Sequence, residues 1–203
     1  MRVGLTGGIG AGKSEVARMF REFGAFIIDT DELARAAVAP GSDGLREIAR
    51  EWPQAVRDGA LDRAALAEIV FRDPSLRARL EAIVHPHVRR LAREREREAR
   101  PDQLIVHVVP LLFETGYDAL VDRTVVVIAP DDERLARVAA RDALSVEQIR
   151  ARMAAQIDPS SARARADYVI ENDADVETLR RRARAVYGAL VAEMDARSDA
   201  GNA

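Results

Sequence analysis

Cysteine is absent from the 203 residues, so no disulfide and no thiolate metal site can form. That absence agrees with a reducing compartment, and a cytoplasmic location is expected. Aromatic residues make up 4% of the chain, too few for the stacking platforms that hold single-stranded nucleic acid. A net charge of −3 provides no basic field for nucleic acid or an anionic membrane. Long apolar runs are missing too. LIVHVV (104–109) is typical, against the roughly 20 residues that a membrane-spanning helix needs. Glycines break the first apolar run almost at once, which argues against a signal peptide. Lysine is nearly absent: Lys13 is the single lysine, and the other strongly basic side chains are all arginine. Against such a bias a retained lysine suggests a place where a compact point charge serves better than a planar fork. Chance in a lysine-poor chain is the alternative.

What remains is ordinary in composition. Hydrophobic residues reach 48% and charged residues 32%, enough to build one sizeable core. The start of the chain reads as strand, glycine loop, helix and strand. Residues 2–6 read as a short buried strand, residues 7–12 form the glycine loop, and from Ser14 apolar residues recur at helical spacing until Gly24. FII (26–28) then ends in Asp29. This is a βαβ unit and implies a parallel sheet. Residues 31–100 read as helical throughout, interrupted at Pro40-Gly41, Pro53, Gly59 and Pro74. REREREAR (93–100) reads as a solvated helix face whose charges nearly cancel. The runs 104–109 and 124–129 read as strands buried on both faces. Helices follow at 131–141 and 146–156, a short strand at 168–170, a last helix at 176–194 and a frayed tail.

The loop GGIGAGKS (7–14) matches the phosphate-binding pattern G-x-x-x-x-G-K-[ST]. Gly8, Gly10, Ala11 and Gly12 would bring backbone N–H groups to phosphate oxygens, at the positive end of the helix that follows. Lys13 would reach the β- and γ-phosphates, and the Ser14 hydroxyl would bind Mg²⁺. Glu15 would contribute its backbone N–H. A glycine-rich turn without a ligand is the plain alternative. Asp29 and Asp31 lie just past a strand's carboxyl end, where ligands sit in parallel α/β sheets. One would organise Mg²⁺ and the other accept a proton from an attacking hydroxyl; otherwise Asp31 merely caps the next helix. The arginines of residues 134–156 (Arg134, Arg137, Arg141, Arg150 and Arg152) suit a lid that neutralises a transferring phosphoryl group. Arg141 sits at the joint between two helices and is the favoured one, with Arg137 beside it as a nucleotide contact. Most of the others read as solvated surface. The markers of a GTP-hydrolysing switch, D-x-x-G and N-K-x-D, do not occur.

LTGGIGAGKS, IIDTDELAR, VAPG, LDRAALAEIVF, LEAIVHPHV, VPLLFETG, ARD, RMAAQ and ARADYVIEN appear in an order and spacing that resembles the dephospho-CoA kinase family, over about residues 1–195. The resemblance implies ATP-dependent phosphorylation of the ribose 3′-hydroxyl of dephospho-CoA, with Mg²⁺. It implies a single P-loop kinase domain of α/β class. The parallel-sheet core would take in about 1–30, 101–130 and 159–197, the helical acceptor-binding insertion about 31–100 and the lid about 131–158. It places Asp31 as the base and Asp29 at the metal. It assigns acceptor contact to Asp31, Arg35, His85, Pro110, Leu111 and Glu114. His85 serves equally as a packing residue before a proline kink, and Glu114 as a helix-terminal charge. His85 and His87 lack a third metal ligand at the right spacing. The expected protein is a monomer or weak homo-oligomer without nucleic-acid or membrane partners. The family's pattern is departed from at four places: Glu15, Trp52-Pro53, Arg134 (in place of Gln) and Ala143 (in place of Gly). A different small-metabolite kinase and a non-catalytic nucleotide switch are the competing readings.

Overall fold

The computed structural model describes residues 1–71, 73–142 and 144–201, so Ala143 lies outside the described residues. They form two compact units, Met1–Ile28 with Ala99–Ala203, and Asp29–Glu98. In chain order the elements are β1 (Arg2–Gly7), α1 (Lys13–Phe23), β2 (Phe26–Asp29), α2 (Thr30–Ala37), α3 (Asp43–Glu51), β3 (Val56–Arg57), β4 (Ala60–Leu61), α4 (Arg63–Phe71) and α5 (Pro74–Glu96). Then come β5 (Ile105–Val108), β6 (Arg123–Ile128), α6 (Asp131–Arg141), α7 (Val146–Ala154), α8 (Pro159–Arg165), β7 (Tyr168–Glu171) and α9 (Val176–Gly201).

The first unit is built on a five-stranded parallel sheet in the order β2-β5-β1-β6-β7. Val3 pairs with Val106 on one side and with Arg123 on the other, and Val126 pairs with Val169. Strand alternation divides the core into two layers. Val3, Leu5, Val125 and Val127 join Val16, Phe20, Leu190 and other buried residues of α1 and α9. Val126 and Ile128 face the opposite way, toward Leu112, Phe113, Tyr117 and Ala162. Gly4 also faces that second layer, where a Cβ would come 2.8 Å from Leu112 Cδ1. β5 and β6 are therefore buried strands, which is why their sequences are mostly apolar, with His107, Arg123 and Thr124 as the exceptions. Among the described residues no helix is long and apolar enough to cross a membrane.

The second unit packs α2 to α5 around buried Ala37, Ile48, Trp52, Ala55, Leu66 and Val88. Trp52, one of the four departures, is thus a core residue. The expectation of helix throughout this region fails at β3 and β4, an antiparallel pair joined by Asp58 and Gly59. Both turn residues have positive φ, 49° and 73°, the backbone of the tight hairpin turn that Asp-Gly favours. Pro86 lies inside α5.

Two further elements differ from expectation. α9 continues to Gly201, so residues 198–201 are helical rather than frayed. α8 was not expected at all, although Asp158-Pro159 is a helix-start signal. The Asp158 carboxylate accepts from the amides of Ser160 (3.2 Å) and Ser161 (2.9 Å). Those bonds, with Ser161 foremost, hold its pKa well below the ordinary carboxylate range. A depressed folded-state pKa means the cap stabilises fully above the unfolded aspartate pKa, near 4, and loses effect as pH falls below it. Asp158→Ala is therefore expected to lower Tm at pH 7, and the gap to the parent should shrink toward pH 3. Melting curves across that range check this; a gap that stays constant would refute it.

Candidate active site

In a parallel sheet all strands end on one edge, where ligands collect. There β1 leads into residues 8–12 and α1, β5 into Val109 and Pro110, and β7 into Asn172. Two loop glycines, Gly10 (φ 77°) and Gly12 (φ 98°), take left-handed conformations that other residues adopt only under strain. Gly12 is also the N-cap of α1, with no side-chain cap bond. Lys13 and Ser14 begin that helix, Lys13 half-buried and Ser14 exposed.

The backbone bonds of the loop divide its amides into two sets. Ala11 N–H donates to the Gly8 carbonyl at 3.0 Å, and Glu15 N–H to the Gly12 carbonyl at 3.0 Å. Both had been expected to face phosphate, but both are engaged in shaping the turn. Among the described residues no protein acceptor takes the amides of Gly10, Gly12 and Ser14. The Glu15 carboxylate pairs with Arg18, so that departure has no part in the cradle.

Behind the loop, side chains hold its carbonyls. Arg134 Nε donates to Ile9 O at 3.0 Å, and Arg137 Nη1 to Gly10 O at 3.4 Å. Asn172 Nδ2 donates to Ala11 O at 2.8 Å. The glycines are necessary on this side as well. A Cβ on Gly8 would lie 2.4 Å from Arg134 Nη2, one on Gly10 2.5 Å from Arg134 O, and one on Gly12 2.2 Å from Asn172 Nδ2. Gly12→Ala is accordingly expected to cost about 1–3 kcal/mol through strain and to abolish tight nucleotide binding, read by thermal melting and by titration with ATP. Unchanged melting and binding would refute that tightness.

Pro110 and Glu114 line a small cavity with Gly7, Gly8, Arg134 and Gln156. It has about 20 Å³ open to water-sized molecules, room for roughly one water. Glu114 Oε1 accepts the Ile157 amide at 2.9 Å, so its carboxylate ties down the segment after α7. Leu111 is half-buried, and its carbonyl accepts the Thr115 hydroxyl at 2.7 Å. Arg141 is not aimed at the loop's back wall. Its guanidinium forks onto Asp142 at 2.9 and 2.8 Å and is 64% exposed.

β2 ends at Asp29, the first residue of the second unit, which caps α2. Its Oδ1 accepts from the amides of Asp31 (2.8 Å) and Glu32 (3.3 Å). The cap is therefore Asp29, not Asp31, whose exposed carboxylate takes no part in it. Arg35 follows one turn later on α2 and is exposed. His85 is half-buried in α5 just before Pro86, while His87 Nε2 contacts Glu47 at 3.1 Å. No cluster of three or more metal-ligating residues occurs among the described residues. A magnesium ion bound mainly by phosphate and water, with one or two protein ligands, needs none.

The dephospho-CoA kinase family profile matches residues 1–178. The chain belongs to that family. The dephospho-CoA kinase of Streptomyces avermitilis is 46% identical over 193 residues, 94% of each chain. That of Anaeromyxobacter dehalogenans is 48% identical over 181 residues, 87% of this chain and 86% of its own. The solved dephospho-CoA kinase from Campylobacter jejuni superposes with a TM-score of 0.70 at 25% identity, over 95% of this chain and 98% of that one. Within the family resemblance, Gln156 and Asn172 were visible as the ends of RMAAQ and ARADYVIEN, but nothing in their local sequence linked them to the loop. Arg134 was visible as one of the lid arginines and as a departure, not as a contact of the loop.

Proposed function

We propose that this chain is a dephospho-CoA kinase that transfers the γ-phosphoryl group of ATP to the ribose 3′-hydroxyl of dephospho-CoA, giving coenzyme A and ADP. The observation that carries the reading is the phosphate loop itself: carbonyls held behind, with the amides of Gly10, Gly12 and Ser14 not taken by the protein. Those amides and the Lys13 ammonium would hold the triphosphate and neutralise charge that builds on the transferring group. Catalysis of this kind is mostly positioning plus electrostatics. Ser14 and Asp29 would hold Mg²⁺, which supplies further neutralisation of the phosphate oxygens. The Asp29 cap engages Oδ1 alone.

Asp31 would orient the acceptor hydroxyl and take its proton late in the transfer. Arg35, His85, Pro110, Leu111 and Glu114 would contact the acceptor. Residues 31–100 would form the acceptor-binding insertion, and residues 131–158 the lid. Arg137 would serve the nucleotide from the loop's side, and Arg141 from the joint of the lid after exchanging its Asp142 partner for phosphate. We place the enzyme in the cytoplasm, as a monomer or weak homo-oligomer without nucleic-acid or membrane partners.

The test is a panel of acceptors assayed for ADP formation with MgATP. Dephospho-CoA should be strongly preferred. A preference for a hydroxy acid or a nucleoside monophosphate would overturn the assignment, and ATP turnover indifferent to acceptor would favour a switch.

A further inference from the structure

Ile9, at the crest of the phosphate loop, is gripped at both backbone polar groups. Its amide donates to Gln156 Oε1 at 2.7 Å, and its carbonyl accepts from Arg134 Nε at 3.0 Å. Arg134 lies on α6 with its side chain 6% exposed. Nη1 is paired at 2.9 Å with Asp131, itself 73% exposed. Nη2 lies against the Gly8 backbone, where a Cβ would come 2.4 Å from it. The guanidinium thus packs against residues 8 and 9. Gln156 is held in turn from both sides, by α7 before it and by the Glu114 bond to Ile157 after it.

A trans peptide points its C=O and N–H in opposite directions. The Ile9 carbonyl and the Gly10 amide belong to one peptide unit. Holding that carbonyl behind the loop therefore turns the Gly10 amide to the front. The same logic links the Ala11 carbonyl, held by Asn172, to the Gly12 amide. Gly10 and Gly12 are among the loop positions whose amides the protein leaves without an acceptor among the described residues.

We propose that Arg134 is a positioning residue for the nucleotide's phosphates: by holding the Ile9 carbonyl behind the loop it aims the Gly10 amide forward, while Gln156 fixes the preceding peptide. The inference rests on the reading that this loop binds the ATP phosphates. It makes the departure at position 134 a working part of the site, and it pins residues 134 and 156, near the two ends of the lid segment, to the loop.

The test uses the full-length enzyme and the variants Arg134→Met, Arg134→Gln and Gln156→Leu. Steady-state kinetics, ATP affinity and Tm are measured for each. Arg134→Met should raise KM for ATP by on the order of 10-fold, lower kcat less, and leave KM for dephospho-CoA within about 2-fold. Arg134→Gln keeps one donor for Ile9 and should return KM for ATP to within about 3-fold of the parent. A purely structural role would lower Tm without this split between substrates and without rescue by Gln. Combining Arg134→Met with Gln156→Leu should cost less than the product of the two effects, because both act on one loop segment.

An unchanged KM for ATP in Arg134→Met, or a Gln variant no better than Met, would overturn the proposal. Should Arg134→Met fail to fold, Gln156→Leu decides: a several-fold rise in KM for ATP supports the clamp, and none refutes it. A parent enzyme that fails to bind MgATP would instead overturn the functional reading. One that binds it normally, alongside unaffected variants, would sink the clamp alone.

Discussion

Replacing Lys13 by alanine is expected to lower turnover about 10²-fold or more while leaving the fold intact. The lysine begins α1 beside amides that the loop leaves for a ligand, so its ammonium would add positive charge where phosphate charge would build. Removing one preorganised group of this kind costs about 10²–10³ in kcat in other enzymes. Its side chain is half-buried and lies outside the apolar core, where substitutions rarely cost more than about 0.5 kcal/mol. Lys13→Arg should fall in the same range, because a planar fork replaces a compact point charge. That second variant bears on the unusual composition of this chain. Arginine serves everywhere else, so an arginine that worked equally well at position 13 would mean that the lysine is there by chance. Near-normal turnover in Lys13→Ala would remove the assigned role altogether.

Asp31→Asn is expected to slow the chemical step about 10²-fold or more and to leave ATP affinity unchanged. The structure makes this a clean substitution. The α2 cap uses the Asp29 carboxylate and only the backbone amide of Asp31, so changing the Asp31 side chain leaves the cap in place. Asp29→Asn would disturb the cap and the proposed magnesium contact together, and its effect would be harder to apportion. Because the transition state of phosphoryl transfer is loose, the acceptor proton leaves late, and the loss belongs in the single-turnover rate rather than in substrate binding. Equal single-turnover rates for parent and variant would exclude Asp31 as the base.

The fold was legible where one physical signal dominated. Buried parallel strands announced themselves as mostly apolar runs in β5 and β6, and α1 announced itself by glycines before it and Gly24 after it. Short elements were harder. The two-residue strands β3 and β4 are too brief for any alternation, and the Asp58-Gly59 signal was overridden by the helical pattern on either side. In α8 a cap and a proline were present without a long amphipathic repeat. The far end of α9 lacks a helix stop until past the point where composition turned polar.

The sequence by itself determined the loop, its lysine, the acidic pair after β2 and the family, because each depends on residue types at fixed short spacings. Tertiary structure alone decided which amides remain for phosphate. The side chains that hold the loop come from 125, 147 and 161 residues away, and no local pattern encodes a contact across such a separation. The same holds for the choice of Asp29 over Asp31 as cap, since two carboxylates two residues apart look alike until the backbone has folded and offers its amides to only one of them.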